Sequence, residues 1–274
     1  MKTFYVTGDC HRDFTRFETW SGCGQDTAVI ILGDAGINYL LDRRDDDFKD
    51  YLAKFDITFY CVKGNHEARP SSVEGMHLVF DPEVNGEIWM QDQYPNIRYF
   101  KEFGIYSIPR ENGDPFKVAV VGGAYSVDKW YRLANNRRWF ADEQLTDIEL
   151  TQCYEQLGNQ DFDFVLTHTC PKYLMPTDLF LQGIDQSLVD NNMETFLRNL
   201  SYMMNWKVWL FGHYHADRIE QPHVEQLYYD IKSFEAIWNE WRNYDINPQK
   251  LHFWHTYSPK FGLYGQYVIG YKEI

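Results

Sequence analysis

Ala28-Val29-Ile30-Ile31-Leu32-Gly33-Asp34 is the stretch on which the fold turns. Its unbroken apolar run matches a strand buried on both faces, the mark of a parallel sheet covered by helices. The run stops at a glycine, and a carboxylate follows at once. The same pattern recurs along the chain. Phe4-Tyr5-Val6 leads to Gly8 and Asp9-Cys10-His11, and Thr58-Phe59-Tyr60-Cys61-Val62 leads to Gly64-Asn65-His66-Glu67. Phe162-Asp163-Phe164-Val165-Leu166 leads to Thr167-His168, and Val208-Trp209-Leu210-Phe211 leads to Gly212-His213-Tyr214-His215. A further run, Lys117-Val118-Ala119-Val120-Val121, ends in Gly122-Gly123.

Helical patterns lie between these runs. Phe48, Tyr51, Leu52 and Phe55 recur at i, i+3, i+4 and i+7 behind Asp45-Asp46-Asp47, whose charge suits a helix N-terminus. Residues 142–157 and 187–204 also read as helices. Strand, polar cluster, helix, strand is an α/β arrangement with parallel strands. In such sheets ligands bind beyond the carboxyl ends of the strands. One rim should therefore collect all five clusters.

Further from these runs the pattern is looser. Residues 71–116 carry Pro82, Pro95, Pro109 and Pro115, with strand candidates at Arg98-Tyr99-Phe100 and Ile105-Tyr106-Ser107-Ile108. After 217, Phe234, Ile237, Trp238 and Trp241 suggest a helical face, while 251–255 and 266–271 alternate like strands. His252 and His255, in that aromatic region, read as packed side chains. Residues 217–274 are expected to complete a second sheet within a single domain spanning 1–274.

At 274 residues the chain can bury a sizeable core, and 18% aromatic residues supply bulk for it. A formal charge of −14 argues against non-specific binding to nucleic acid, which needs Lys and Arg to neutralise phosphates. It leaves a small phosphoester open as a substrate, because bound cations invert the local field. The five cysteines, Cys10, Cys23, Cys61, Cys153 and Cys170, form no CxxC pair and read as reduced thiols of a cytoplasmic protein. The first cluster begins within eight residues of Met1, too early for a signal peptide, and no run approaches the roughly 20 apolar residues needed to span a bilayer. A soluble protein without a membrane partner is expected.

Asp9, His11, Asp34, Asn65, His168, His213 and His215 together supply carboxylate, amide and imidazole without thiolate. That set suits divalent Mn, Fe, Zn or Ni. Singly, each cluster reads as a turn or a hydrogen-bonded histidine. In order, at the ends of successive strands, they read as a cage for two ions, a recurring device for displacement at phosphorus.

The order and spacing of these motifs over roughly residues 3–216 resemble the calcineurin-like metallophosphoesterases. The resemblance implies a four-layer α/β/β/α sandwich with two mixed sheets. It implies that Asp9, His11, Asp34 and His215 hold one ion and that Asp34, Asn65, His168 and His213 hold the other. His66 would be the catalytic histidine outside the metal sphere. The implied reaction is attack on phosphorus, in line, by a hydroxide bridging the two ions, with His66 protonating the leaving oxygen. A phosphomonoesterase is the first expectation. A phosphodiesterase or nuclease is the alternative within the fold, and a non-catalytic protein-binding scaffold the alternative outside it.

The chain departs from the protein serine/threonine phosphatase branch at Arg12, where that branch has glycine. It departs again at Ala35-Gly36-Ile37-Asn38, where that branch has a further Asp and an Arg-Gly. The usual carboxylate partner of His66 is thus absent from its place, leaving Glu67, Asp13 or a residue elsewhere. Arg12 and Arg69 flank the clusters and are candidates to clamp phosphate oxygens. The loop Gly122-Gly123-Ala124-Tyr125-Ser126-Val127-Asp128 resembles one found in bacterial members of the superfamily.

Overall fold

The computed structural model describes residues 2–20, 24 and 26–242. In chain order its elements are β1 (Thr3–Thr7), α1 (Thr15–Glu18), β2 (Thr27–Ile31), α2 (Arg43–Leu52), β3 (Ile57–Cys61), β4 (His77–Asp81), β5 (Gly86–Met90), β6 (Ile97–Phe100), β7 (Phe103–Ile108) and β8 (Phe116–Val121). Then follow α3 (Lys129–Ala134), α4 (Asp147–Leu157), β9 (Asp161–Thr167), α5 (Asn192–Met203), β10 (Asn205–Phe211), β11 (Arg218–Gln221), β12 (Val224–Gln226), β13 (Lys232–Ser233) and α6 (Phe234–Trp241).

Two mixed sheets result. One has the order β13-β1-β2-β3-β6-β5-β4, the other β11-β12-β10-β9-β8-β7. The strands that carry the polar clusters are parallel neighbours: β1 with β2, β2 with β3, and β9 with β10. Antiparallel strands close the edges.

The apolar runs divide their residues between layers according to the two-residue period of a strand. Ala28 and Ile30 of β2 join Val118 and Val120 of β8 and Phe164 and Leu166 of β9 in the core between the sheets. Val29 and Ile31 face the other way, onto Phe14, Phe17 and Leu52 beneath α1 and α2. Ala119 and Val121 face Cys153, Leu157 and Leu197 of α4 and α5. The layers are therefore helix, sheet, sheet, helix.

Several expected boundaries shift, for local reasons. The helix expected from 142 begins at Asp147, because Thr146 and Glu149 form a reciprocal capping box. The helix expected from 187 begins at Asn192, after three short 3₁₀ turns at Lys172–Leu174, Thr177–Leu179 and Gln186–Leu188. β4 and β5 form a hairpin that the sequence concealed, since β4 is largely exposed and lacks a clean alternation. The tail divides: β11 and β12 extend the second sheet, whereas β13 pairs with β1 on the first. The strand candidates at 251–255 and 266–271 lie outside the described residues.

Cys10, Cys61, Cys153 and Cys170 are buried free thiols, and burial pushes the Cys10 thiol up to about 11. Among the described residues no helix is long and apolar enough to cross a membrane.

Candidate metal centre and its pocket

β1, β2, β3, β9 and β10 release their polar clusters at one rim, and the seven proposed ligands converge there. Two carboxylates organise it, each held in the same way. One oxygen of Asp34, Oδ1, accepts from the His66 backbone N–H at 2.7 Å, and one oxygen of Asp9, Oδ1, accepts from the His213 backbone N–H at 2.8 Å. Each held oxygen rests on a glycine. A Cβ at Gly64 would lie 1.9 Å from Asp34 Oδ1, and one at Gly212 would lie 2.4 Å from Asp9 Oδ1. Glycine is required at both positions because the carboxylate occupies the space of a side chain.

The second oxygens behave differently. Asp9 Oδ2 and Asp34 Oδ2 are buried and lack any hydrogen-bond partner. Imidazole nitrogens surround them instead. Asp9 Oδ2 lies 3.5 Å from His11 Nε2 and 3.3 Å from His215 Nε2. Asp34 Oδ2 lies 3.9 Å from His11 Nε2 and 3.5 Å from His168 Nε2, between the two halves of the rim. His11 Nε2 and His215 Nε2 meet at 2.9 Å. A buried carboxylate without donors is costly unless a cation or an ion pair compensates it. Burial works to raise both carboxyls, yet His11 and His215 hold Asp9, and His168 and His66 hold Asp34, below the usual carboxylate range.

The remaining ligands are oriented from behind. His168 Nδ1 donates to the Leu32 carbonyl at 2.8 Å, which turns Nε2 toward the rim. His168 Nε2 lies 2.8 Å from Asn65 Oδ1. Burial opposes a charge on His168, but Asp34 overrides it and raises the ring to about 9. His213 packs against His168 with ring centroids 4.9 Å apart, and burial depresses it to about 3, leaving a neutral donor. The Asn65 amide N–H donates to Ser126 Oγ at 2.9 Å, which turns Oδ1 toward the rim. Ser126 is fixed by Glu143, which accepts from its hydroxyl at 2.5 Å and from its N–H at 3.1 Å. His11, Asp34, His213 and His215 all have positive φ, at 46°, 47°, 70° and 53°. Strained backbone of this kind concentrates at ligand-binding sites.

Orphaned carboxylate oxygens ringed by imidazole nitrogens fit divalent cations. Asp9, His11 and His215 form one group whose donor atoms lie within 4.8 Å of one another, and Asp9, Asp34 and His168 form another.

A pocket of about 300 Å³ opens beside the rim, where Asp34, Asn65, His66, His213 and His215 form its polar side. His66 Nε2 lies 4.0 Å from Asp34 Oδ2 and 3.4 Å from Arg132 Nη2. Neither nearby carboxylate anticipated from the sequence serves His66. Glu67 is buried against the Tyr99 hydroxyl, and burial raises it to about 7, while Asp13 is exposed and bound to Thr15. The groups facing His66 are Asp34, Arg132, Asp128 and His11, and burial lowers the pKa of the ring.

Arg12 and Arg69 are not among the residues lining the pocket. Arg12 is bound to Asp45 and to the carbonyls of Gly36 and Arg44, and lies over the Phe48 ring. Arg69 is bound to Glu149 and to the carbonyls of Asp142 and Gln144. Both tie loops to helices. The guanidinium on the pocket is that of Arg132, held by Asp128 through Nε (2.8 Å to each carboxylate oxygen) and donating from Nη1 to the Tyr39 hydroxyl at 3.1 Å. A sequence signal existed: Asp128 and Arg132 stand four apart behind Gly122-Gly123, a spacing that pairs side chains on a helix.

A family model for calcineurin-like phosphoesterases matches residues 2–217. The chain belongs to this family. The calcineurin-like phosphoesterase described here is accordingly a metal-dependent enzyme acting on phosphoesters. No curated protein matches it. Among solved structures, one similar chain is a phosphopantetheinyl hydrolase from Mycobacterium tuberculosis, at 14% identity, covering 89% of this chain and 93% of that one with a TM-score of 0.36. At that level the likeness carries no argument about substrate.

Proposed function

We propose that this phosphoesterase is a phosphomonoesterase with a dinuclear centre. Asp9, His11, Asp34 and His215 would hold one divalent cation, and Asp34, Asn65, His168 and His213 the other. The observation that carries this reading is the pair of orphaned oxygens, Asp9 Oδ2 and Asp34 Oδ2, with Asp34 Oδ2 lying between His11 on one side and His168 on the other. Bound there, a pair of divalent cations acidifies water and draws charge from phosphoryl oxygens.

The chain's own residues supply the rest. Asp128 and Tyr39 hold the Arg132 guanidinium so that Nη2 faces the His66 side of the pocket, where it can take a phosphoryl oxygen. A monoester dianion has three non-bridging oxygens, one more than the two cations need share, and Arg132 matches the third. A diester has two. His66 would give a proton to the leaving alcohol oxygen; burial and Arg132 lower the ring's pKa, and Asp34 behind it works against them to favour the charged form. The phosphorus–oxygen bond to the alcohol breaks and one to the oxygen of water forms. One water is consumed, and the products are the alcohol and hydrogen phosphate.

Rates on p-nitrophenyl phosphate and bis-p-nitrophenyl phosphate with Mn, Ni and Zn test the reading. The monoester is expected to have the higher kcat/KM. Arg132→Ala should lower monoester turnover by about 10²-fold, the usual cost of removing one preorganised donor, and diester turnover by less. A faster diester rate, or equal losses on both esters, overturns the monoesterase assignment.

A further inference from the structure

The pocket has a second side unlike the first. Across from the ligands stand Met175, Leu179, Phe180, Leu181 and Ile184, brought there by the 3₁₀ turns that precede α5. Phe180 stacks over Tyr214 at a centroid distance of 6.4 Å, so the apolar side continues onto the segment that carries His213 and His215. An inorganic phosphate needs no such surface. Some other part of the substrate must cover it, and the only covalently available part is the alcohol.

Gln186, Asp190, Asn191 and Glu194 are the polar groups of this segment on the pocket, and Glu194 is the buried one among them. Glu194 lines the pocket and is 3% exposed. Its Oε1 accepts from the Thr169 hydroxyl at 2.7 Å, and Thr169 in turn meets the Tyr214 hydroxyl at 3.1 Å. Its Oε2 has no partner. Leaving a buried carboxyl oxygen unsatisfied costs about 1–3 kcal/mol or more, so such a group on a pocket wall marks a place where a ligand donor is received. Burial raises the Glu194 carboxyl, Asp190 adds to this, and Lys172 opposes it. The group is therefore sensitive to what is brought against it.

We propose that Glu194 is a specificity residue for the leaving group: the substrate is the phosphate ester of an alcohol with an apolar body, whose far end carries a hydrogen-bond donor that Glu194 accepts. The inference rests on the phosphoesterase reading above and concerns the part of the substrate that the metal centre does not touch. The donor is a hydroxyl or an amine.

The test compares hexyl phosphate with its terminal hydroxy and amino derivatives, by kcat/KM with the metal-loaded enzyme. In parallel, equilibrium binding of the three matching phosphonates is measured, which requires no turnover. A donor-bearing ester should be favoured by roughly tenfold to a hundredfold, the range for one well-placed hydrogen bond to a buried carboxyl. Glu194→Leu should bring the preference close to one. Glu194→Gln, which keeps the shape and an acceptor oxygen, should retain the hydroxyl preference and lose any amine preference, and it decides the matter if the leucine variant does not fold. Equal handling of all three esters by the wild type, or a preference that survives Glu194→Leu, overturns the proposal. Phosphonate binding that shows the preference in a protein unable to hydrolyse p-nitrophenyl phosphate would sink the phosphomonoesterase reading and leave the subsite standing.

Discussion

The two sides of the pocket are built on different principles. The ligand side stands on the ends of β1, β2, β3, β9 and β10, where strand pairing on both sides sets the position of every backbone atom. The apolar side hangs on residues 172–191, which are joined by three single-turn 3₁₀ segments and keep Leu181 59% exposed. Rigid sheet ends suit a centre that must hold several donors within a fraction of an ångström. A turn-rich wall suits a surface that selects substrates, because changes there leave the sheet untouched. On the proposed reading, chemistry and selectivity rest on different material that meets at Tyr214.

Substitutions on the ligand side should be severe, and Asp34→Asn the most severe. It removes charge from the oxygen that lies between the two groups of histidines, so metal content and turnover should both fall to background. Metal analysis beside p-nitrophenyl phosphate assays checks this, and a fully metallated, active variant breaks the contrast. His66→Ala should abolish turnover while metal content stays near normal, since the ring is proposed to act on the proton and not to hold metal. Gly64→Ala should come next. Its Cβ would sit 1.9 Å from Asp34 Oδ1, so either the carboxylate or the His66 turn must move. A loss of about 1–3 kcal/mol of stability is expected, together with weakened metal binding. Glu143→Gln reaches the centre only through Ser126 and Asn65, and should weaken metal binding by about 10- to 100-fold, the usual effect of a group that orients a ligand.

Changes on the apolar side should be milder. Leu181→Ser should leave stability within about 0.5 kcal/mol, as for exposed positions generally, while raising KM for esters of apolar alcohols. Glu194 carries a weak pH signature. Burial raises its folded-state pKa above the unfolded value, so the folded protein holds a proton that the unfolded chain releases. Its contribution is fully present below the ordinary glutamate range and is lost as pH rises through the raised value. Urea midpoints between about pH 4 and 8 should therefore fall less steeply with pH in Glu194→Gln than in the wild type. Identical slopes would remove this distinction between the two sides.

Much of the ligand side was legible because its grammar is local. A buried strand is an unbroken apolar run, and a polar residue straight after its glycine must emerge at the sheet's end. That holds for Asp34 behind Ala28-Val29-Ile30-Ile31-Leu32 and for His213 behind Val208-Trp209-Leu210-Phe211. The start of α4 was legible too, in Thr146-Asp147-Ile148-Glu149, had the capping box been given priority over apolar spacing. The hairpin of β4 and β5 was hidden because β4 lies at the sheet edge, where exposed residues such as Phe80 (63% exposed) blur the alternation. Arg12 and Arg69 illustrate the opposite error. Their nearness in sequence to the clusters suggested phosphate contacts, yet Asp45 and Glu149 claim them in the fold.

Taken alone, the amino-acid order determined which donor side chains stand at strand ends, because strand period and glycine exits are properties of neighbouring residues. Which arginine reaches His66, what covers the far side of the pocket, and which carboxylates are left with an unsatisfied oxygen were decided only by the tertiary structure. Those questions depend on the packing of segments distant in sequence, such as Asn65 with Ser126 and His66 with Arg132. Distances of that kind are set by sheet order and loop path, and no local pattern carries them.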